Sequence, residues 1–211
     1  MIDAKEIARL REQSSFLGYE FLTWLFLLLD QDAKEELEAI TKDLLHKTEV
    51  IITLGSSITT CVLNHKEQKT VVRSPILEES HEVFASIRNG HLVESLALNL
   101  YFQEISVLVI LNALDFSLTQ IKIKNNFESL KEEDSLDEQD KVREEIFLRM
   151  ALLEDTEKVL DALYGYYLKL KSQPKDFSKI TEKLKSQIEN RLGHYLRIDR
   201  AEITKAESPV I

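Results

Sequence analysis

Residues 16–30 read Phe16-Leu17-Gly18-Tyr19-Glu20-Phe21-Leu22-Thr23-Trp24-Leu25-Phe26-Leu27-Leu28-Leu29-Asp30. From Phe21 to Leu29 every residue except Thr23 is apolar, and the run holds the only tryptophan, Trp24. A helix that is apolar on all sides has no face to offer water and must be buried all round. Phe16 to Leu29 spans 14 residues and includes Glu20, whereas a bilayer needs roughly 20 uninterrupted apolar residues. The stretch therefore predicts a central core helix, N-capped by Ser14 or Ser15, with a membrane span as the lesser reading. The rest of the chain has to wrap this helix.

At 211 residues the chain is long enough to bury a substantial core as one large or two small domains. The single cysteine, Cys61, excludes an internal disulfide framework and fits a reducing, cytoplasmic compartment. The first ten residues are charged and carry no apolar signal core, which argues against secretion. Net charge is −10, but it is unevenly spread. Residues 165–205 hold ten Lys/Arg against five Asp/Glu, while residues 128–145 hold nine acids against three bases. An acidic body with a basic end can present a local positive face.

Residues 3–13 read as a short charged helix. In 32–47, Leu37, Ile40, Leu44 and Leu45 fall at helical spacing, giving a second, amphipathic helix. These two and the buried helix make up residues 1–48. An antiparallel sheet with one helix follows over 49–124. Val50–Leu54 and Ile58–Leu63 are β-branched runs around Gly55-Ser56-Ser57, the pattern of a hairpin. Residues 64–69 read as a polar turn before Thr70–Arg73. Val83, Phe84 and Ile87 mark a helix over 78–89 that closes at Asn89-Gly90. Strands are expected over 91–102 with one wet face, over 105–111 with both faces covered, and over 116–124 with a slip near Gln120. Gln103-Glu104 forms the turn between the first two. That makes about six strands. Residues 125–140 read as an acidic linker. Val142, Ile146, Met150, Leu153, Val159, Leu160, Leu163, Tyr167 and Leu170 then mark a long helix stopped before Pro174. A last helix carries Ile180, Leu184, Ile188 and Leu192; the helical region is 141–198 and the tail 199–211. The fold class is α+β.

The five histidines supply no helical metal pair, and there is no Cys-x-x-Cys, glycine-rich phosphate loop or nucleophile elbow. Glu144, Glu145, Glu154 and Asp155 lack the Glu-x-x-His partner of a carboxylate metal box. Cys61 reads as a small buried hydrophobe. No cofactor, metal or catalytic activity is expected. Two features stand out. One is the basic end: Lys169, Lys171, Lys175, Lys179, Lys183, Lys185, Arg191, Arg197 and Arg200. Its plain reading is a solvated helix balanced by Asp176, Glu182 and Glu189. Its functional reading is sequence-independent phosphate contact. The other is the aromatic cluster Tyr164, Tyr166 and Tyr167, for which packing is the default and base stacking the alternative.

Phe16-Leu-Gly-Tyr-Glu-Phe-Leu-Thr-Trp-Leu25 resembles the Phe-Leu-Gly-Arg-Glu-Phe-Leu-Thr-Trp-Leu signature in some members of the RdgC family of recombination-associated proteins. Residues 80–98, with Ile87-Arg-Asn-Gly-His-Leu-Val-Glu-Ser-Leu-Ala-Leu98, are similar to the family's helix, Gly-Lys turn and following strand. Glu145-Ile-Phe-Leu-Arg-Met-Ala-Leu-Leu-Glu154 resembles its C-terminal Glu-Arg-Met helix. Tyr19 stands at the arginine of the signature and His91 at the lysine of the turn; the segment preceding the signature in long members is not present in this sequence.

The resemblance covers about residues 14–172. It implies a non-enzymatic protein that binds DNA without sequence preference, forms a ring-like homodimer on the nucleoid, and restrains recombinase filaments in recombination or replication. The reading set against it is an acidic protein-interaction module, a chaperone-like or regulatory dimer without a DNA role. Clustering of the basic side chains on one surface favours the first, and their scattering favours the second.

Overall fold

The computed structural model describes residues 18–29, 50–62, 65–103, 105–114, 118–124, 138–175, 177–179, 181–183, 185–186 and 188–193. Helix α1 occupies residues 18–28, and its apolar side chains are buried on every side, Trp24 to 5 % exposure. The two polar side chains of its first turns are both engaged. Thr23 Oγ1 donates to the Tyr19 carbonyl (2.7 Å) and accepts from the Val93 N–H (2.9 Å), tying the helix to the sheet. Glu20 faces the other way, toward the C-terminal helices. Gly18 lies so near the β4 end that an added Cβ would sit 2.1 Å from the Ala113 carbonyl oxygen. The expected helices over 3–13 and 32–47 lie outside the described residues.

The sheet has five antiparallel strands in the order β2-β1-β3-β4-β5, with β1 Val50–Val62, β2 His65–Arg73, β3 Leu92–Phe102, β4 Ile105–Asn112 and β5 Leu118–Lys124. The α+β class is as expected. Around Gly55 the expectation fails: Val50–Val62 is one strand and not a hairpin. Leu54 pairs with Leu98 and Ile58 with Leu96, so β1 bulges there while keeping both residues in register with β3. A Cβ on Gly55 would meet the Ala97 Cβ at 2.7 Å. The glycine that signals a turn in sequence is needed for close strand approach. The polar turn over 64–69 is shorter than expected too, since β2 already begins at His65.

Central strand β3 aligns Leu96, Leu98 and Leu100 with Leu111, Val109 and Val107 of β4, and all six are buried. Its opposite face opens only toward Ser95, Asn99 and Tyr101; Val93 and Ala97 are buried, so the wet face is partial. Strand β4 also departs from expectation: Leu108 and Ile110 on its second face are half-buried, not covered. The two-residue turn holds, with Phe102 paired to Ile105 and Gln103 at φ 53°. The slip in β5 holds as well, since Ile110 pairs with Gln120 but Leu111 with Leu118. Five strands, not six, stand among the described residues.

Between β2 and β3 a 3-10 turn, Leu77–Glu79, leads into α2, His81–Arg88. Val83 and Phe84 are buried, and the Phe84 ring lies 5.5 Å from that of Phe26 on α1. Gly90, at φ 86°, closes the helix with its N–H on the Ile87 carbonyl, the role its position in the sequence predicts.

Helix α3, Glu138–Lys171, reaches back into the segment read as linker. Its buried stripe, Leu152, Thr156, Val159, Leu163, Tyr167 and Leu170, begins only in mid-helix. Val142, Ile146 and Met150, expected in the core, are exposed, as is Phe147 at 71 %. After a break at residues 172–173, the described residues of 174–193 form helix α4, with Pro174 at its first position, where no N–H is required. Phe177, Ile188 and Leu192 turn into the common core. No helix among the described residues is long and apolar enough to cross a membrane.

The three glycines make a contrast that thermal melts can measure. Gly18→Ala and Gly55→Ala each push a methyl into backbone or a facing methyl and should cost about 1–3 kcal/mol. Gly165, in α3, has open space around it, so Gly165→Ala should stabilise by about 0.5–1 kcal/mol. Equal effects at all three sites would contradict the packing described.

Candidate functional site

Sequence spacing groups the lysines and arginines of the basic end; the structure divides them. Lys171 is half-buried and forms an ion pair with Glu20, which also accepts from Tyr167 Oη at 3.2 Å. The Lys171 ammonium stands 5.9 Å from the centre of the Tyr167 ring. It neutralises the one acid of α1 and so stands apart from the exposed lysines. Lys169 is exposed near the end of α3. Lys175, Lys179 and Lys183 are exposed on α4, on the side away from Phe177 and Ile188. Lys185 follows Lys183 by two residues, about 200° round a helix at 100° per residue, and borders a cavity on the other side. Arg191 is half-buried. Arg197 and Arg200 lie outside the described residues. One row of three lysines therefore survives from the longer set.

Tyrosines 164, 166 and 167 clasp α1. The Phe21 ring stands 5.1 Å from Tyr164 in an edge-on contact, and Trp24 stands 5.3 Å from Tyr167 and 6.4 Å from Tyr166. Tyr167 is fully buried. Such contacts add about 0.5–1.5 kcal/mol each beyond area burial, so the three rings pack as the default reading expects.

A second polar cluster has no signal in the sequence. Glu94, nearly buried, accepts from Lys69 Nζ at 2.7 Å. The Tyr19 phenol lies beside Glu94 and the Cys61 thiol, and burial first, then these two neighbours, push its pKa up. Glu94 occupies the β3 position skipped where Thr59 pairs with Ser95 and Thr60 with Val93. That bulge turns an otherwise alternating acid inward, and nothing in the local pattern signals it. Cys61 is buried, as a small hydrophobe should be. No group of three or more potential metal ligands occurs among the described residues.

Alkaline pH should expose the Tyr clusters. Burial, with Glu20 as the next cause, also raises the Tyr167 pKa, and the hydrogen bond to Glu94 raises that of Lys69. An unfolded phenol titrates near about 10, so as pH rises the unfolded chain loses these protons first. The associated stability is complete below about pH 10 and is lost above it. Melting temperature should be level between about pH 7 and 9 and then drop. Tyr19→Phe and Tyr167→Phe should each make the drop shallower, as circular dichroism melts across pH would record. An unchanged slope in both variants would contradict the assignment.

Comparison of this chain with protein-family models, with curated proteins and with solved structures returned no match in any of the three.

Proposed function

We propose that this chain is a non-enzymatic, sequence-independent DNA-binding protein that acts as a homodimer in recombination or replication, in the manner of the RdgC family it resembles. The observation that carries the reading is the row Lys175, Lys179 and Lys183. The three are exposed along one side of α4, whose opposite side supplies Phe177, Ile188 and Leu192 to the core. A helix anchored by its apolar side and charged on the other holds cations at a fixed spacing along a phosphate backbone, without reading bases. The acidic remainder of the chain repels DNA from other directions, which confines contact to this face.

A dimer is supported by the first half of α3. Val142, Ile146 and Met150 recur every four residues and are exposed, with Phe147 beside them. Such a stripe is its own complement in a two-fold helix pairing, the commonest closed assembly. The same stripe is the specific observation behind the second reading, a protein-interaction module without a DNA role.

If two protomers offer three lysines each, log K for a labelled duplex should fall with log salt at a slope of about −5. Replacing all three lysines with glutamine should bring the slope near zero and leave the melting temperature unchanged, since exposed lysines contribute little stability. Fluorescence anisotropy on duplex and single strand reads both. A folded protein that binds neither at low salt would leave the interaction module as the reading.

Light scattering tests the dimer separately. The chain should run at twice its 24.4 kDa, and Phe147→Glu should return it to a single chain mass. A single chain mass for the unaltered protein across a wide concentration range would remove the dimer.

A further inference from the structure

The exposed stripe on the first half of α3 shares its side of the helix with residues further along. Val142, Ile146 and Met150 step by four and span about 80° at 100° per residue, and all three are exposed. Leu160 follows Val142, and Tyr164 follows Ile146, by 18 residues, which is about five whole turns. Each pair therefore points the same way. In the second half of α3 that side is occupied. Leu160 and Tyr164 line a hollow whose other walls include Phe21 and Leu22 of α1 and Leu111 of β4, and the rings of Tyr164 and Phe21 are 5.1 Å apart.

Two copies of α3 can meet along the stripe with their helices running the same way or opposite ways. The helix has 34 residues, a length of about 51 Å. In a parallel pair the partner helix continues alongside Leu160 and Tyr164, into the space that α1 and β4 hold. In an antiparallel pair centred on Ile146 the partner helix starts level with Glu154 and runs away past Glu138, so that wall is never met. Phe147, 71 % exposed, favours the same direction. It stands about 100° to one side of Ile146, and Glu145 stands about 100° to the other. In a parallel two-fold pair each flank meets the opposite flank, which sets Phe147 against Glu145 and the Arg149 bound to it. In an antiparallel pair each flank meets its own copy, and two Phe147 rings leave water together.

We propose that two copies pair antiparallel through the first halves of their α3 helices, with Ile146 at the two-fold axis and Val142 facing Met150 of the partner subunit. This pairing rests on the dimer proposed above and adds its direction. The interface is isologous, the same patch serving on both copies. The two bodies, each packed on α3 from Leu152 onward, then stand at opposite ends of the pair.

Spin labels on single introduced cysteines read the direction in the full chain. The buried Cys61 is first replaced by alanine or serine, whichever variant keeps the circular dichroism of the unaltered chain. Along an antiparallel pair a residue and its copy stand about 3 Å apart for every residue that separates it from Ile146. Pulsed electron resonance on Lys158→Cys, at an exposed position, should therefore give about 35–45 Å, and on Arg143→Cys about 10–20 Å. In a parallel pair both distances would lie below about 25 Å. A short distance at residue 158 in a folded dimer overturns the antiparallel direction and leaves the dimer standing. A distance well above 20 Å at residue 143 places the dimer contact elsewhere and overturns the pairing through α3. A single chain mass by light scattering for the unaltered protein removes the dimer itself, and the direction with it.

Discussion

Everything in this structure depends on burying a helix that has no outward side. Eight apolar residues of α1 are buried, and at about 1.5–3 kcal/mol per large apolar side chain this is the largest such block in any one element among the described residues. Burial on one side comes from the sheet and α2, through Thr23 to Val93, Gly18 against Ala113, and Phe26 against Phe84. Burial on the other comes from α3, through Phe21 and Trp24 against three tyrosines. Neither the sheet nor the C-terminal helices could be removed without baring half of α1 to water. Sheet and helices therefore share one core, although their sequences look like separate regions.

Two acids at the edge of that core are each answered by a lysine. Glu20 would be an uncompensated charge in an apolar helix, and Lys171 and Tyr167 answer it from 147 to 151 residues away. Glu94 is answered by Lys69 across β1. Breaking such a pair leaves a charge in a poorly solvated place, which costs more than the pair itself contributes. This also explains why the basic end divides. Lys171 is drawn inward by Glu20, while Lys169 before it and the lysines beyond Pro174, on a helix with its own inner side, remain at the surface.

The long helix α3 has two halves with different duties. From Leu152 onward its stripe is buried, with its tyrosines against α1; before that, a stripe of similar apolar content stays in contact with water. An exposed stripe of this kind marks an interaction surface more often than an accident of sequence. It lies at the far end of α3 from the lysine row of α4.

Composition and periodicity alone determined the buried helix, the α+β class, the two-residue turn at Gln103, the slip in β5, the closure at Gly90 and the end of α3 before Pro174. Each of these depends on neighbours within a few residues, where spacing and turn chemistry act directly. Only the tertiary structure decided that Gly55 lies within a strand, because the reason is the approach of Ala97 from another strand and not local conformation. The same holds for Glu94, turned inward by a bulge, and for Lys171, whose partner lies across the core. Val142, Ile146 and Met150 have the spacing of a core stripe, and periodicity could not distinguish a stripe that meets α1 from one that passes beyond its end. Spacing along a helix fixes which residues share a side; what that side meets is set by where the helix lies.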